Sequence, residues 1–317
     1  MRTRTDAQRA SRRSRRRQAV RRELLYLALC APGLVALILF NYVPLFGVVL
    51  AFKNFRPRRG IWGSENVGFD NFAYLFAGDA WRITRNTVAM NALFIVATLV
   101  VALTLAILIN ELRDRSPLLT KVTQSAMFLP FVLSWVVVAH LATAFLDARS
   151  GLLNQLLDLV SLPAVNWYAE PSYWPAILTS VDLWKGVGFW VIVYLAGILA
   201  INPSLYEAAS LDGASRWQQT RRITLPLILP LITINVLLSV SKVFNADFGL
   251  FFQVTQNSPA LYPTTDVIDT YVYRALTTTG DVGMAAAAGL YQAVVGLVLV
   301  VGANWYVRRR SADNALF

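Results

Sequence analysis

Long apolar runs alternate with shorter polar stretches along this chain, and six of the runs exceed what a soluble fold requires. They lie at approximately 25–50, 87–110, 122–146, 174–200, 223–243 and 284–307. Each can cross a hydrocarbon core of about 30 Å as a helix, which takes about 20 residues. A helix satisfies its own backbone hydrogen bonds, as lipid demands, so the pattern predicts an all-α membrane protein with six transmembrane helices. Pro32, Pro44, Pro130, Pro226 and Pro230 fall inside the runs and predict kinks or helix ends. The first run, uncharged from Leu24 to Phe52, far exceeds a signal-peptide core of about 7–15 residues and reads as a retained helix.

The polar stretches add detail. Trp62, Phe69, Phe72, Tyr74, Phe76 and Trp81 follow the first run, aromatics of the kind that sit at the lipid headgroup level. Gly151 to Val160 carries Leu at 152, 153, 156, 157 and 159 beside Asn154 and Asp158, which predicts a short amphipathic helix on the outer interface. The outer loop at about 244–283 is long enough to meet a partner, and no internal repeat is visible.

Composition agrees with a membrane class: 56% of residues are hydrophobic and 15% charged, against about 25% charged in soluble domains. The formal net charge of +11 is concentrated, since most of the Lys and Arg excess sits in an Arg-rich head at 1–23. A basic head before a long apolar run reads as a cytoplasmic tail on an anionic leaflet, with no nucleic-acid role. Placing the head inside puts both termini in the cytoplasm, the short tail 311–317 included, around a permease body at 24–310. That orientation rests largely on the head, and the basic cluster from Lys53 to Arg59 falls on the outer side as an exception.

Catalytic chemistry finds few candidates. Cys30 is the only cysteine and His140 the only histidine, each within an apolar run, so no metal or catalytic cluster is expected. The chain contains no Gly-Lys dipeptide and therefore no phosphate-cradling Walker loop, so any ATP and Mg must be handled by another polypeptide.

The loop at 202–226, between the fourth and fifth runs, carries the most specific pattern. Ser204 with Glu207 and Ser215 with Gln218 each have capping-box spacing, and Gly213 falls between them where a left-handed residue ends a helix. A short helix, a glycine turn and a second helix running into the fifth span are predicted. Small Ala208 and Ala209 permit close approach, while Glu207 and Asp212 offer acceptors for basic groups.

The full spacing, Glu207-Ala208-Ala209, then Gly213, then Ile223, Leu225 and Pro226, resembles the signature loop of bacterial binding-protein-dependent ABC importers. Glu207 to Ala214, with Ala196, Gly197 and Ile201 before it, is similar to the carbohydrate branch of that family, and Gly60 to Phe72 resembles its polysaccharide-type permeases. The resemblance implies a coupling-helix elbow docked on an ATPase. It also implies a second homologous permease chain, two ATP-binding subunits and an extracytoplasmic solute-binding protein, all at the bacterial plasma membrane. The chain itself is then a non-catalytic subunit carrying a sugar or oligosaccharide. The Arg-rich head is not part of that pattern.

A cargo route is sought among polar groups inside the spans. Asp182 and Lys185 share one helix face at a spacing that permits mutual neutralisation, with Trp184 and Trp190 beside them. Asn235, Ser239, Lys242 and Asn245 form a polar stripe at helical spacing on the fifth span. The alternatives are a structural ion pair, interhelical polar packing, a peptide, phosphate or polyamine cargo, and a secondary transporter.

Overall fold

The computed structural model describes residues 26–113 and 115–310. The Arg-rich head and the short C-terminal tail lie outside the described residues. Long helices dominate: α1 (Tyr26–Phe52), α3 (Ala80–Arg113), α7 (Trp174–Leu199), α9 (Arg216–Ser241) and α11 (Val282–Arg310). Each is long and apolar enough to cross a membrane. Between α1 and α3 lie a two-stranded antiparallel ribbon, β1 (Lys53–Asn54) with β2 (Glu65–Asn66), and a short helix α2 (Asp70–Ala77).

The third predicted span departs from a single helix. It forms α4 (Pro117–Val132) and α5 (Trp135–Leu146), bent by 101° across Leu133 and Ser134. Pro130, the expected cause, stays inside α4. Leu133 adopts an extended backbone, and Ser134 then caps α5 by accepting the Val137 N–H at 3.4 Å.

The other prolines act locally. In α1 the hydrogen-bond spacing widens at Ile38–Tyr42 and tightens to a 3-10 coil over Val43–Phe52, around Pro44, whose ring removes one donor. In α9 a π turn at Thr220–Thr224 absorbs the missing donor of Pro226, and the helix continues through Pro230.

Three packed clusters hold the body together. Ala102, Ala106 and Ile109 of α3 meet Val191, Tyr194, Leu195 and Ile198 of α7 and Ile228 of α9, the alanines letting the backbones approach. Gly188 does the same for α7 and α4, where a Cβ would strike the Met127 carbonyl. Toward the other end, Phe94, Val138, Trp174, Leu250 and Phe251 form a second cluster, while Leu75, Ile83, Phe244 and Ile268 form a third.

The predicted amphipathic helix appears as α6 (Leu152–Leu159), with one reversal. Asn154 is its buried position, while Leu156 and Leu159 are exposed. Its amide donates to the Ala148 and Val165 carbonyls and its carbonyl accepts from Val165 N and Trp167 Nε1, so all its hydrogen-bonding capacity is used within the loop.

Candidate functional site

The loop between α7 and α9 folds as a helical elbow. Its first limb is α8 (Pro203–Leu211), and the cap differs from expectation: Asn202, not Ser204, accepts a backbone N–H, from Ser204 at 3.0 Å. Proline at the first helical position makes the preceding residue the natural cap. The limb ends in a Schellman turn, with Gly213 N donating to Ser210 O at 3.1 Å and Ala214 N to Ala209 O at 2.9 Å. Gly213 sits at φ +78°, and a Cβ there would meet no other atom, so backbone conformation and not space selects glycine.

The second limb starts with the predicted capping box. Ser215 N donates to Gln218 Oε1 at 2.7 Å, and Gln218 N donates to Ser215 Oγ at 3.3 Å. Buried Gln219 joins the limbs, donating from Nε2 to Ser210 Oγ at 2.9 Å and to Ala214 O at 3.1 Å. Tyr206 and Thr224 pair their hydroxyls at 2.8 Å, and Arg216 lies 3.7 Å from Glu111 at the end of α3. The elbow is thus wired to α9, with which its second limb is continuous, and to the ends of α3 and α7. These contacts frame a cleft of about 300 Å³ lined by Asn110, Glu111, Arg113, Tyr206, Glu207 and Arg216.

Glu207, Ala208, Asp212 and Gly213 are exposed on the elbow and Ala209 is half-buried, whereas Ile223 and Leu225 are half-buried on α9 beside exposed Pro226. Sequence reasoning passed over the apolar part of this surface. Leu211 is 90% exposed and Trp217 69% exposed, the most exposed of the large apolar side chains on the projection. Lone apolar residues between Ser210 and Asp212 and between Arg216 and Gln218 were the available signal.

The polar groups expected along one route separate into two places. Asp182 and Lys185 form no ion pair among the described residues. Lys185 reaches instead to the Phe131 carbonyl at 2.9 Å, a free acceptor near the C-terminus of α4, and its ammonium lies 5.5 and 5.0 Å from the Phe131 and Trp135 ring centroids. Trp135 in turn donates from Nε1 to Asp247 Oδ2 at 2.9 Å. The α4–α5 break therefore gathers a cation, aromatic faces and the carboxylates of Asp182 and Asp247, with Trp184 exposed nearby on α7. Trp190, Asn235 and Ser239 line a separate, half-open cavity. Lys242 and Asn245 fall beyond the end of α9 and are exposed, so the predicted stripe is interrupted where the helix stops at Ser241.

At the end away from the elbow, a buried ionic cluster fixes the segment before α11. Asp266, whose side chain is fully buried, accepts from Arg82 at 3.0 Å and from Arg274 at 2.5 Å, and Arg274 stacks over Tyr262. Asp269 lies in α10 (Ile268–Arg274), where burial pushes its carboxyl above the usual range against hydrogen bonds from Ala246 N and Gln292 Nε2.

Helices long and apolar enough to cross a membrane, with one bent pair among them and a capped elbow at one end, define a multi-pass membrane protein. The family model for the inner membrane component of binding-protein-dependent transport systems matches residues 99–312, and the chain belongs to that family. Protein LplB of Bacillus subtilis is 31% identical over 94% of this chain and 93% of its own length. The polygalacturonan/rhamnogalacturonan transport system permease protein YteP of the same organism is 34% identical over 90% of this chain and 88% of its own. Among solved structures, a bacterial ABC transporter that imports the acidic polysaccharide alginate superposes with a TM-score of 0.85 at 35% identity, over 94% of this chain and 99% of that one. A second structure of a bacterial alginate transporter, bound to a periplasmic protein carrying an alginate pentasaccharide, gives 0.84 at 34% identity, over 93% and 97%. The chain is a sugar-type ABC importer permease in the inner membrane.

Proposed function

We propose that this chain forms half of the membrane path of an ATP-driven oligosaccharide importer and that the elbow at 202–226 is where a cytoplasmic ATPase grips it. The elbow carries the reading: two capped limbs locked at Gly213 and Gln219 form a stiff projection, and its second limb is the start of a spanning helix. Glu207 and Asp212 offer carboxylates to basic groups of the ATPase, and Leu211 and Trp217 supply apolar area at the same tip. A second, homologous permease completes the path, two ATPase copies drive it, and an extracytoplasmic binding protein delivers cargo at the opposite end. Both termini then face the cytoplasm.

The cargo route passes the α4–α5 break, where Trp135, Phe131 and exposed Trp184 present ring faces to sugar rings and Lys185, Asp182 and Asp247 present hydrogen-bonding groups. The relatives named for alginate and for polygalacturonan/rhamnogalacturonan make fragments of acidic polysaccharides the first cargo to test.

Proteoliposomes holding this chain, the second permease and the ATPase test the reading. Uptake of a labelled oligosaccharide should require both ATP and the loaded binding protein. Uptake driven by an ion gradient without ATP would contradict it.

A further inference from the structure

The helix α9 runs unbroken from Arg216 in the elbow to Ser241, so movement of the elbow is carried along it. Near the end of α9 away from the elbow, the helix faces a half-open cavity of about 140 Å³. Phe94 and Thr98 of α3, Trp190 and Tyr194 of α7, and Asn235 and Ser239 of α9 line it. Asn235 is only 9% exposed, and among the described residues its Nδ2 has no hydrogen-bond partner. A buried amide N–H without a partner is rare in native interiors and calls for one.

Size and chemistry decide what the cavity holds. Pockets for drug-sized ligands occupy about 300–1,000 Å³, so an oligosaccharide does not fit. At about 30 Å³ per molecule in the liquid, there is room for about five waters. Apolar cavities of this size stay dry, but this one offers Asn235, Thr98, Ser239 and Tyr194 as partners, and water needs about two to four hydrogen bonds to remain.

We propose that this half-open cavity is a hydration site, apart from the cargo route, in which water pairs Asn235 Nδ2. Its mobile filling lets α9 shift against α3 and α7. A close-packed contact would resist that displacement, because interiors at crystal-like density transmit strain and do not yield to it. The second claim rests on the elbow being the ATPase contact, whereas the first does not.

Two measurements on the assembled transporter in lipid nanodiscs and proteoliposomes test this. A cryo-EM map detailed enough to show ordered water elsewhere in the protein interior should show water within hydrogen-bonding distance of Asn235 Nδ2. Interior waters elsewhere and none here would overturn the site. Ser239→Leu and Thr98→Leu, which fill the cavity with carbon from two different walls, should each lower ATP-driven uptake about tenfold while ATPase binding to the elbow is unchanged. Full uptake in both variants, or parallel loss of ATPase binding, would overturn the mobility claim. If the unmodified transporter binds no ATPase at the elbow, the functional reading fails and the water result still stands on its own.

Discussion

Gln219 reaches back across the elbow to Ser210, Nε2 to Oγ at 2.9 Å, and holds two helices that meet at a single glycine. The same amide donates to Ala214 O, and Gln219 is buried while the surrounding tip is exposed. Gln219→Leu removes both bonds at a net cost of about 1 kcal/mol. Expressed through docking, that is about a fivefold weaker affinity for the ATPase, measurable by titrating the ATPase onto the permease pair.

Replacing Gly213 isolates the backbone requirement, since a Cβ there has open space around it. Gly213→Ala should cost about 1–2 kcal/mol from the left-handed conformation alone, and Gly213→Asn less, because asparagine visits that region more readily. Hydrogen exchange should report it directly. The amides of Gly213 and Ala214, which donate to Ser210 O and Ala209 O, would exchange faster in the alanine variant than in the asparagine variant.

Lys185 donates to the last turn of α4, beside the α4–α5 break. Lys185→Met leaves the Phe131 carbonyl without its donor and takes the cation from between two aromatic rings. The uptake KM should rise about tenfold, equivalent to about 1.4 kcal/mol, and Lys185→Arg should recover most of it by keeping charge and donor. A fall in kcat at constant KM would place Lys185 outside the cargo route.

Asp266 is a strictly structural test. It lies between Arg82 and Arg274 with no side-chain exposure, so Asp266→Ala leaves two cations facing each other without their shared acceptor. A loss of about 3–5 kcal/mol is expected, seen as a lower Tm of the purified complex in detergent.

Hydropathy made the long helices legible because lipid imposes one requirement on every spanning segment: internal hydrogen bonding over sufficient apolar length. The elbow was legible for a different reason, since capping and left-handed glycine are local chemistry, visible at Ser215, Gln218 and Gly213. What escaped was in part local, at the Ser134 and Asn202 caps, and in part depends on contacts distant in sequence. The bend at Leu133 and Ser134 carries no glycine, and its nearest proline remains helical. Lys185 has a sequence neighbour of opposite charge, yet it turns to Phe131, because Gly188 lets α7 lie against the α4 backbone. Asn154 reads as the polar face of an amphipathic helix, and only the return of the chain at Val165 and Trp167 makes it an interior residue. Ser204 lost the cap to Asn202 because Pro203 fixes where the helix starts.

The central claim is that the elbow is gripped by an ATPase, and Leu211 tests it most directly. The residue is 90% exposed, so a charge there disturbs no packing within this chain. Binding of the purified ATPase to the permease pair in nanodiscs should be measured for the unmodified chain and for Leu211→Glu. A loss of about tenfold in affinity, with coupled uptake falling alongside it, is the predicted result. Unchanged affinity and unchanged uptake would contradict it and place the ATPase contact elsewhere.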